Sequence, residues 1–208
     1  MNYRLQDFIR YIIPGLYVLA LISGWYLLFG NIQFDTTKLS GLSGIIIILI
    51  PFVGFVFGFF IESMMALIEH LYYRLGGGRP SKAILKGSKY YPVKERDKIL
   101  ENENIKGEDL TDTIAGRILQ RAKQTINRER TEVFRENSIL ARNIFGGQLI
   151  ATIIIMFIDS QFYYNKLWYV SIIASCLFLW YWIHHNHVYV KYTFSEYAKI
   201  ICGNSIES

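Results

Sequence analysis

The chain has 208 residues, of which 52% are hydrophobic, 16% aromatic and 19% charged, and its formal net charge is +5 at pH 7. Only two cysteines, Cys176 and Cys202, are present, the first inside a predicted span, so no disulfide framework supports a secreted fold. The apolar residues collect into four long runs, two on each side of a polar, Lys/Arg-rich middle, which is the layout of an integral membrane protein.

The first run, Tyr11 to Phe29, holds nineteen residues without a charge. At about 1.5 Å per residue, about twenty apolar residues cross a hydrocarbon core of about 30 Å. Arg4 and Arg10 precede it, as in a secretory signal. The run is longer than a signal h-region, however, and no small-x-small cleavage pattern follows Phe29, so a retained anchor is predicted.

The second run, Leu42 to Ile61, is twenty residues without a charge. It carries Gly54-x-x-x-Gly58, a spacing that lets helix backbones approach closely, and Glu62, Met65 and Glu69 continue on nearly the same face. Pro51 removes a backbone donor, which predicts a kink or flexible point. Two readings follow. In the plainer one the glycines pack against another span and Glu62 pairs with Arg10 or Arg142. In the sharper one Pro51, Gly54, Gly58 and Glu62 belong to a pore formed by several copies, with Glu62 ringing its inner mouth.

The glycine run Gly76-Gly77-Gly78, followed by Arg79-Pro80, is a helix stop and flexible exit. It has neither the GxxxxGK[ST] nor the strand-GxGxxG context of a phosphate loop. Lys82, Lys86, Lys89 and Lys94, with Tyr90 and Tyr91, make a basic aromatic patch suited to anionic headgroups. A helix is predicted from a cap at Asp109 or Asp112, with Ile114, Ile118, Ala122 and Ile126 as its apolar stripe. Arg121, Arg128, Arg135 and Arg142 recur every seven residues, so on one continuous helix they form a line descending to the third span. Interleaved Glu129, Glu132 and Glu136 favour a salt-bridged solvated helix. The functional alternative is a surface for a phosphate-bearing ligand or a nucleic acid, because guanidinium groups grip phosphates bidentately.

The third run, Ile144 to Ile158, reaches about twenty residues when extended back to Ile139, with Arg142 inside it; the fourth is Leu167 to Ile183. His184, His185 and His187 follow as HHNH, a spacing that puts at most two on one helical face and so suits a helix end better than a metal site. Paired aspartates for lipid phosphotransfer, GxSxG and HExxH are missing, so no catalytic residue, metal or cofactor is expected, and a metal-dependent lipid enzyme using the HHNH cluster stands only as the third alternative. Sixteen Lys/Arg against ten Asp/Glu lie between His70 and Asn143, whereas the short links between paired spans carry only Lys38 and Lys166. By the positive-inside rule the middle and both termini are cytoplasmic. Trp25, Tyr26, Tyr163, Tyr164, Trp168 and Tyr169 then fall at the outer interface, and Tyr11, Trp180, Tyr181 and Trp182 at the inner one.

The expected fold is therefore all-α: four transmembrane helices with a helical cytoplasmic insertion between spans two and three. The division is 1–69 for the first pair, 70–138 for the insertion, 139–187 for the second pair and 188–208 for a tail.

The opening Asp7-Phe8-Ile9-Arg10-Tyr11-Ile12-Ile13-Pro14-Gly15 resembles the RY-apolar-PG start of small multi-pass proteins of bacterial anti-phage defence, and Leu140-Ala141-Arg142-Asn143 is similar to their third-span start. The span plan resembles Hailong-type channel effectors and the transmembrane effectors of cyclic-oligonucleotide systems. The resemblance implies a homo-oligomeric inner-membrane pore, closed at rest and controlled by a nucleotide or oligonucleotide on the cytoplasmic side. Neither segment is a functional signature, so it assigns no site residue. The alternative is a non-conducting anchor or sensor subunit that recruits a cytoplasmic partner.

Overall fold

The structure is a computed structural model that describes residues 5–29, 43–74, 78–87, 91–126, 128–158 and 167–204. Both short links between paired spans, with Lys38, Tyr163, Tyr164 and Lys166, lie outside these residues, as do Gly76, Gly77, Lys89 and Tyr90. The described chain is all-α, with no strand. Its helices are α1 (Leu5–Phe29), α2 (Ser43–Tyr72), α3 (Pro80–Gly87), α4 (Val93–Asn102), α5 (Asp112–Thr125), α6 (Arg128–Ile158) and α7 (Leu167–Asn204), with a single 3₁₀ turn at Gly107–Asp109.

Among the described residues, three segments are long and apolar enough to cross a membrane: Arg10–Leu28 of α1, Ile48–Tyr72 of α2 and Thr131–Ile158 of α6. The expected fourth, in α7, is not among them. That helix is long enough at 38 residues. α1 and α2 run through Pro14 and Pro51 without interruption, and α2 ends in a π-helical turn at Tyr73 and Arg74.

The chain divides into two compact units, whose boundaries fall inside α2, α6 and α7. An apolar unit joins Met1–Ile68 to Ile139–Trp182, and a polar unit joins Glu69–Ser138 to Ile183–Ser208.

The apolar unit is built on close helix approach. A methyl added at Gly15 would fall on the Gly54 carbonyl, and one added at Gly58 would fall on the Tyr11 carbonyl. α1 and α2 therefore cross backbone to backbone, which only hydrogen side chains permit at these two positions. The Tyr11 ring closes the crossing by packing against Phe55 and Phe59, with centroids 5.6 and 5.8 Å apart. On α6, Gly146 receives the Met65 side chain, and Gly147 lies against Val18 and the Pro14 carbonyl. Val18, Ile61, Met65, Ala141, Phe145, Ala151 and Trp182 form the core, with Phe145 stacked on Trp182 at 6.2 Å. The opposite face of α2 exposes Ile48, Phe52, Val56, Phe59, Phe60 and Leu67. An exposed contiguous apolar face of this kind suits lipid or another apolar surface.

The polar unit has its own core, made by Ile84, Leu85, Ile99, Leu100, Ala115, Ile118 and Ala122 against Tyr189, Val190, Phe194, Tyr197 and Ala198 of α7. Three expectations are corrected here. The cap of α5 is Thr111, whose hydroxyl accepts from Ile114 N–H at 3.3 Å, rather than Asp109 or Asp112. Asp112 instead takes the Arg79 backbone N–H at 3.3 Å and an ion pair with Lys82 at 3.6 Å. Tyr91 leaves the supposed basic patch for the core, 5% exposed.

The third correction concerns the arginine line. The helix carrying it is not continuous: α5 stops at Thr125, Ile126 is extended (φ −82°, ψ 156°), and α6 starts afresh at Arg128. The Thr125 hydroxyl turns back to the Arg121 carbonyl at 3.0 Å. Ile126, the last member of the apolar stripe, goes into the core with 5% exposure. Burying that β-branched side chain at the cost of one helical turn makes an elbow where heptad spacing predicts a rod.

Candidate functional site

In the apolar unit, Arg10 of α1 and Arg142 of α6 both reach Glu62 of α2. Arg10 makes a two-pronged ion pair, its Nη2 on one carboxylate oxygen and its Nε donating to the other at 3.3 Å. Arg142 Nη2 lies 3.6 Å from Glu62 Oε1. The side chains are 18%, 14% and 9% exposed for Arg10, Glu62 and Arg142, so a bidentate pair with a second guanidinium beside it sits in low dielectric. Arg142 Nε also donates to Asn143 Oδ1 at 3.3 Å, and Asn143 itself is fully buried. Of the pore candidates, Gly54 and Gly58 face α1, Glu62 belongs to this charge cluster and Pro51 lies on the exposed side.

Deeper in the same unit lies a group of polar side chains that sequence reasoning missed. Gln148 of α6 is 6% exposed and accepts a hydrogen bond from the Tyr17 hydroxyl of α1. Its amide donates to Ser171 of α7 at 2.9 Å and to Thr152 at 3.4 Å, and Thr152 and Ser171 bond each other. At about 1.5 Å per residue, Gln148 and Thr152 lie about 9 and 15 Å along α6 from Arg142. Gln148 is the only carboxamide in the apolar run from Ile144 to Ile158. A lone amide inside a span was the available signal, since such a group is retained only where it finds partners.

The four arginines of the predicted line part company, with Arg142 in the apolar unit and the other three in the polar unit. Arg121 Nη1 donates to Glu103 Oε2 at 2.6 Å, and the Tyr197 hydroxyl donates to the other oxygen of that carboxylate at 2.9 Å. Glu103 is 8% exposed, so Arg121 joins a clasp between α5, α7 and the end of α4. Burial, with the Glu103 carboxylate beside it, pushes the Tyr197 phenol up to about 12. A second clasp joins Ser195 to Glu95 at 2.7 Å, and burial followed by the charge of Glu95 raises the Tyr91 phenol. The Arg128 side chain lies outside the described residues.

Arg135 has a different setting. It lines a cleft of about 280 Å³ in the elbow, together with Gln120, Lys123 and Gln124 of α5, Thr131 and Glu132 of α6, and Tyr189 of α7. Lys123 Nζ sits 5.1 Å from the centroid of the Tyr189 ring, a cation–π contact that fixes the ammonium at the cleft.

The histidines do not gather into a ligand set. His184 and His185 rings meet edge to face at 5.7 Å, while His187 Nδ1 contacts the Ile183 carbonyl at 3.0 Å. Burial and then the neighbouring His184 make His185 harder to protonate. No group of three or more His, Cys, Asp or Glu among the described residues is placed to hold a metal ion. Compared with known protein families, curated proteins and solved structures, the chain matches none.

Proposed function

We propose that the chain is a four-span membrane effector of the bacterial inner membrane, with the first half of α7 as its fourth span and both termini cytoplasmic. It rests closed, and an anionic ligand, a nucleotide or oligonucleotide in the resemblance set out above, controls it from the cytoplasmic side. In the active state its oligomer passes ions. The observation that carries this reading is the Arg10–Glu62–Arg142 cluster buried among apolar helices. Ionisable groups at membrane depth are costly and tend to mark ion paths and switches. A plain anchor needs no such cluster, nor a polar row such as Tyr17, Gln148, Thr152 and Ser171. The glycine face of α2 packs within the chain, so the path is assigned to the polar face of α6 and the cluster to a latch that keeps it shut.

The second reading, a non-conducting sensor subunit that recruits a cytoplasmic partner, is favoured by the largely apolar exposed face of α2. Membrane potential in cells expressing the wild type and Glu62→Gln separates the two. A leak in Glu62→Gln, with the wild type silent until ligand is supplied, supports the effector. An unchanged potential for both, with or without candidate ligands, rejects it in favour of the sensor.

A further inference from the structure

We infer that the elbow cleft binds one phosphate group carried by a small molecule, with Lys123 and Arg135 as its cationic holders. This assigns a place and a chemical class to the ligand-sensing part of the function proposed above, and rests on that reading for its purpose but not for its chemistry. Lys123 and Arg135 face the cleft from different helices, and Gln120 and Gln124 add two carboxamides beside them. A guanidinium fork, an ammonium and two neutral donors are what the tetrahedral oxygens of a phosphate require.

Charge and size narrow the class. Glu132 also lines the cleft, so the two cations leave one net positive charge. One charge matches a phosphodiester or a singly protonated monoester better than a polyphosphate. The volume of about 280 Å³ falls just below the range of about 300–1,000 Å³ for sites that enclose drug-sized ligands, so a single phosphorylated unit fits and the rest of a longer molecule stays outside. Tyr189 is 7% exposed and its ring is covered by the Lys123 ammonium. It therefore positions the lysine rather than stacking on a base.

The site exists because the arginine line is broken. On a continuous helix Lys123 and Arg135 would be about 18 Å apart at about 1.5 Å per residue. The extended residue Ile126 folds α5 back so that both line one cleft.

The test uses the full chain extracted in detergent, with inorganic phosphate, glycerol phosphate and pyrophosphate as probes, followed by phosphorus NMR and thermal shift. A parallel arm uses nanodiscs with and without phosphatidylglycerol. Phosphate or glycerol phosphate should bind, with pyrophosphate no tighter. Lys123→Gln and Arg135→Gln should each weaken binding by about tenfold. Arg117→Gln, which removes an exposed cation of α5 outside the cleft, should leave it unchanged. Binding in the soluble arm assigns a free phosphate compound. A response confined to phosphatidylglycerol nanodiscs and abolished by Lys123→Gln assigns a lipid headgroup to the same cleft. No binding in either arm overturns the inference, as do cleft variants that bind like the wild type or an Arg117→Gln variant that weakens equally. Binding without any change in membrane potential keeps the cleft and rejects conduction, and the reverse result rejects the cleft alone.

Discussion

The α1–α2 crossing yields the sharpest prediction, because four glycines in the same pair of helices face backbone, a side chain or open space. A methyl at Gly58 lands on the Tyr11 carbonyl, and the next atoms of that backbone stand within 3.0 Å. At Gly15 the obstacle is again backbone, the carbonyl of Gly54 and the Gly58 nitrogen at 2.9 Å. Backbone cannot rotate away, so Gly58→Ala and Gly15→Ala must separate the helices, at an overpacking cost of about 1–3 kcal/mol. Separation also stretches the Tyr11 ring contacts, and a gap of about 0.5–1 Å already forfeits a quarter to a half of each dispersion contact. At Gly54 the methyl meets the Leu16 side chain at 2.9 Å. A rotamer adjustment there costs about 0.5–1.5 kcal/mol. At Gly24 nothing lies within 4 Å, so alanine should be neutral or stabilising. Thermal unfolding in detergent, followed by tryptophan fluorescence and paired with size-exclusion light scattering, should rank Gly58→Ala and Gly15→Ala below Gly54→Ala, and that below Gly24→Ala. Equal melting of Gly58→Ala and Gly24→Ala would refute the intramolecular crossing. So would a Gly58→Ala protein that changes oligomeric state while its protomer unfolds normally, since the glycine face would then belong between copies.

Three further outcomes can be checked with the same protein. Glu62→Ala leaves two guanidinium groups facing each other in low dielectric and should destabilise by about 3–5 kcal/mol, with Glu62→Asp partly restoring stability in the same melting assay. Gln148→Leu removes three side-chain hydrogen bonds at about 0.6 kcal/mol each, a loss of roughly 2 kcal/mol; a larger loss of tryptophan-monitored stability would show that the row holds the spans together more strongly than ordinary membrane hydrogen bonds do. For alkaline pH, the Tyr197 phenol is raised from 10.0 to about 12 in the folded chain, so its contribution is full below pH 10 and is lost as pH rises towards 12. The unfolded phenol ionises first, which removes up to about 3 kcal/mol over that window. Urea unfolding across it should lose that pH dependence in Tyr197→Phe, and an unchanged slope would dismiss the clasp as its source.

The helices long and apolar enough to cross a membrane, the helical class and the partners of Glu62 were legible in the sequence because each rests on short-range regularities. Uncharged runs identify spans, and a carboxylate at a span end selects arginines at matching depth. What was not legible depended on where faces turn after the chain bends. The seven-residue spacing of Arg121, Arg128, Arg135 and Arg142 is a true periodicity, yet it presumes a straight helix. With one buried isoleucine in extended backbone between them, Arg121 pairs with Glu103 while Arg135 lines the elbow cleft. Likewise Gly54-x-x-x-Gly58 announced a close approach without naming its partner, because Gly15 has no motif of its own and is defined only by the crossing. Gln148 escaped for the opposite reason: hydropathy averages over a window, and one amide barely lowers the mean of an Ile-rich run. In a membrane that single amide outweighs its neighbours, since every apolar residue around it has a substitute in lipid and its hydrogen bonds have none. Polar contacts buried in apolar helices are therefore better sought as exceptions to the apolar pattern than as members of it, which moves attention from the α2 glycine stripe to the polar face of α6.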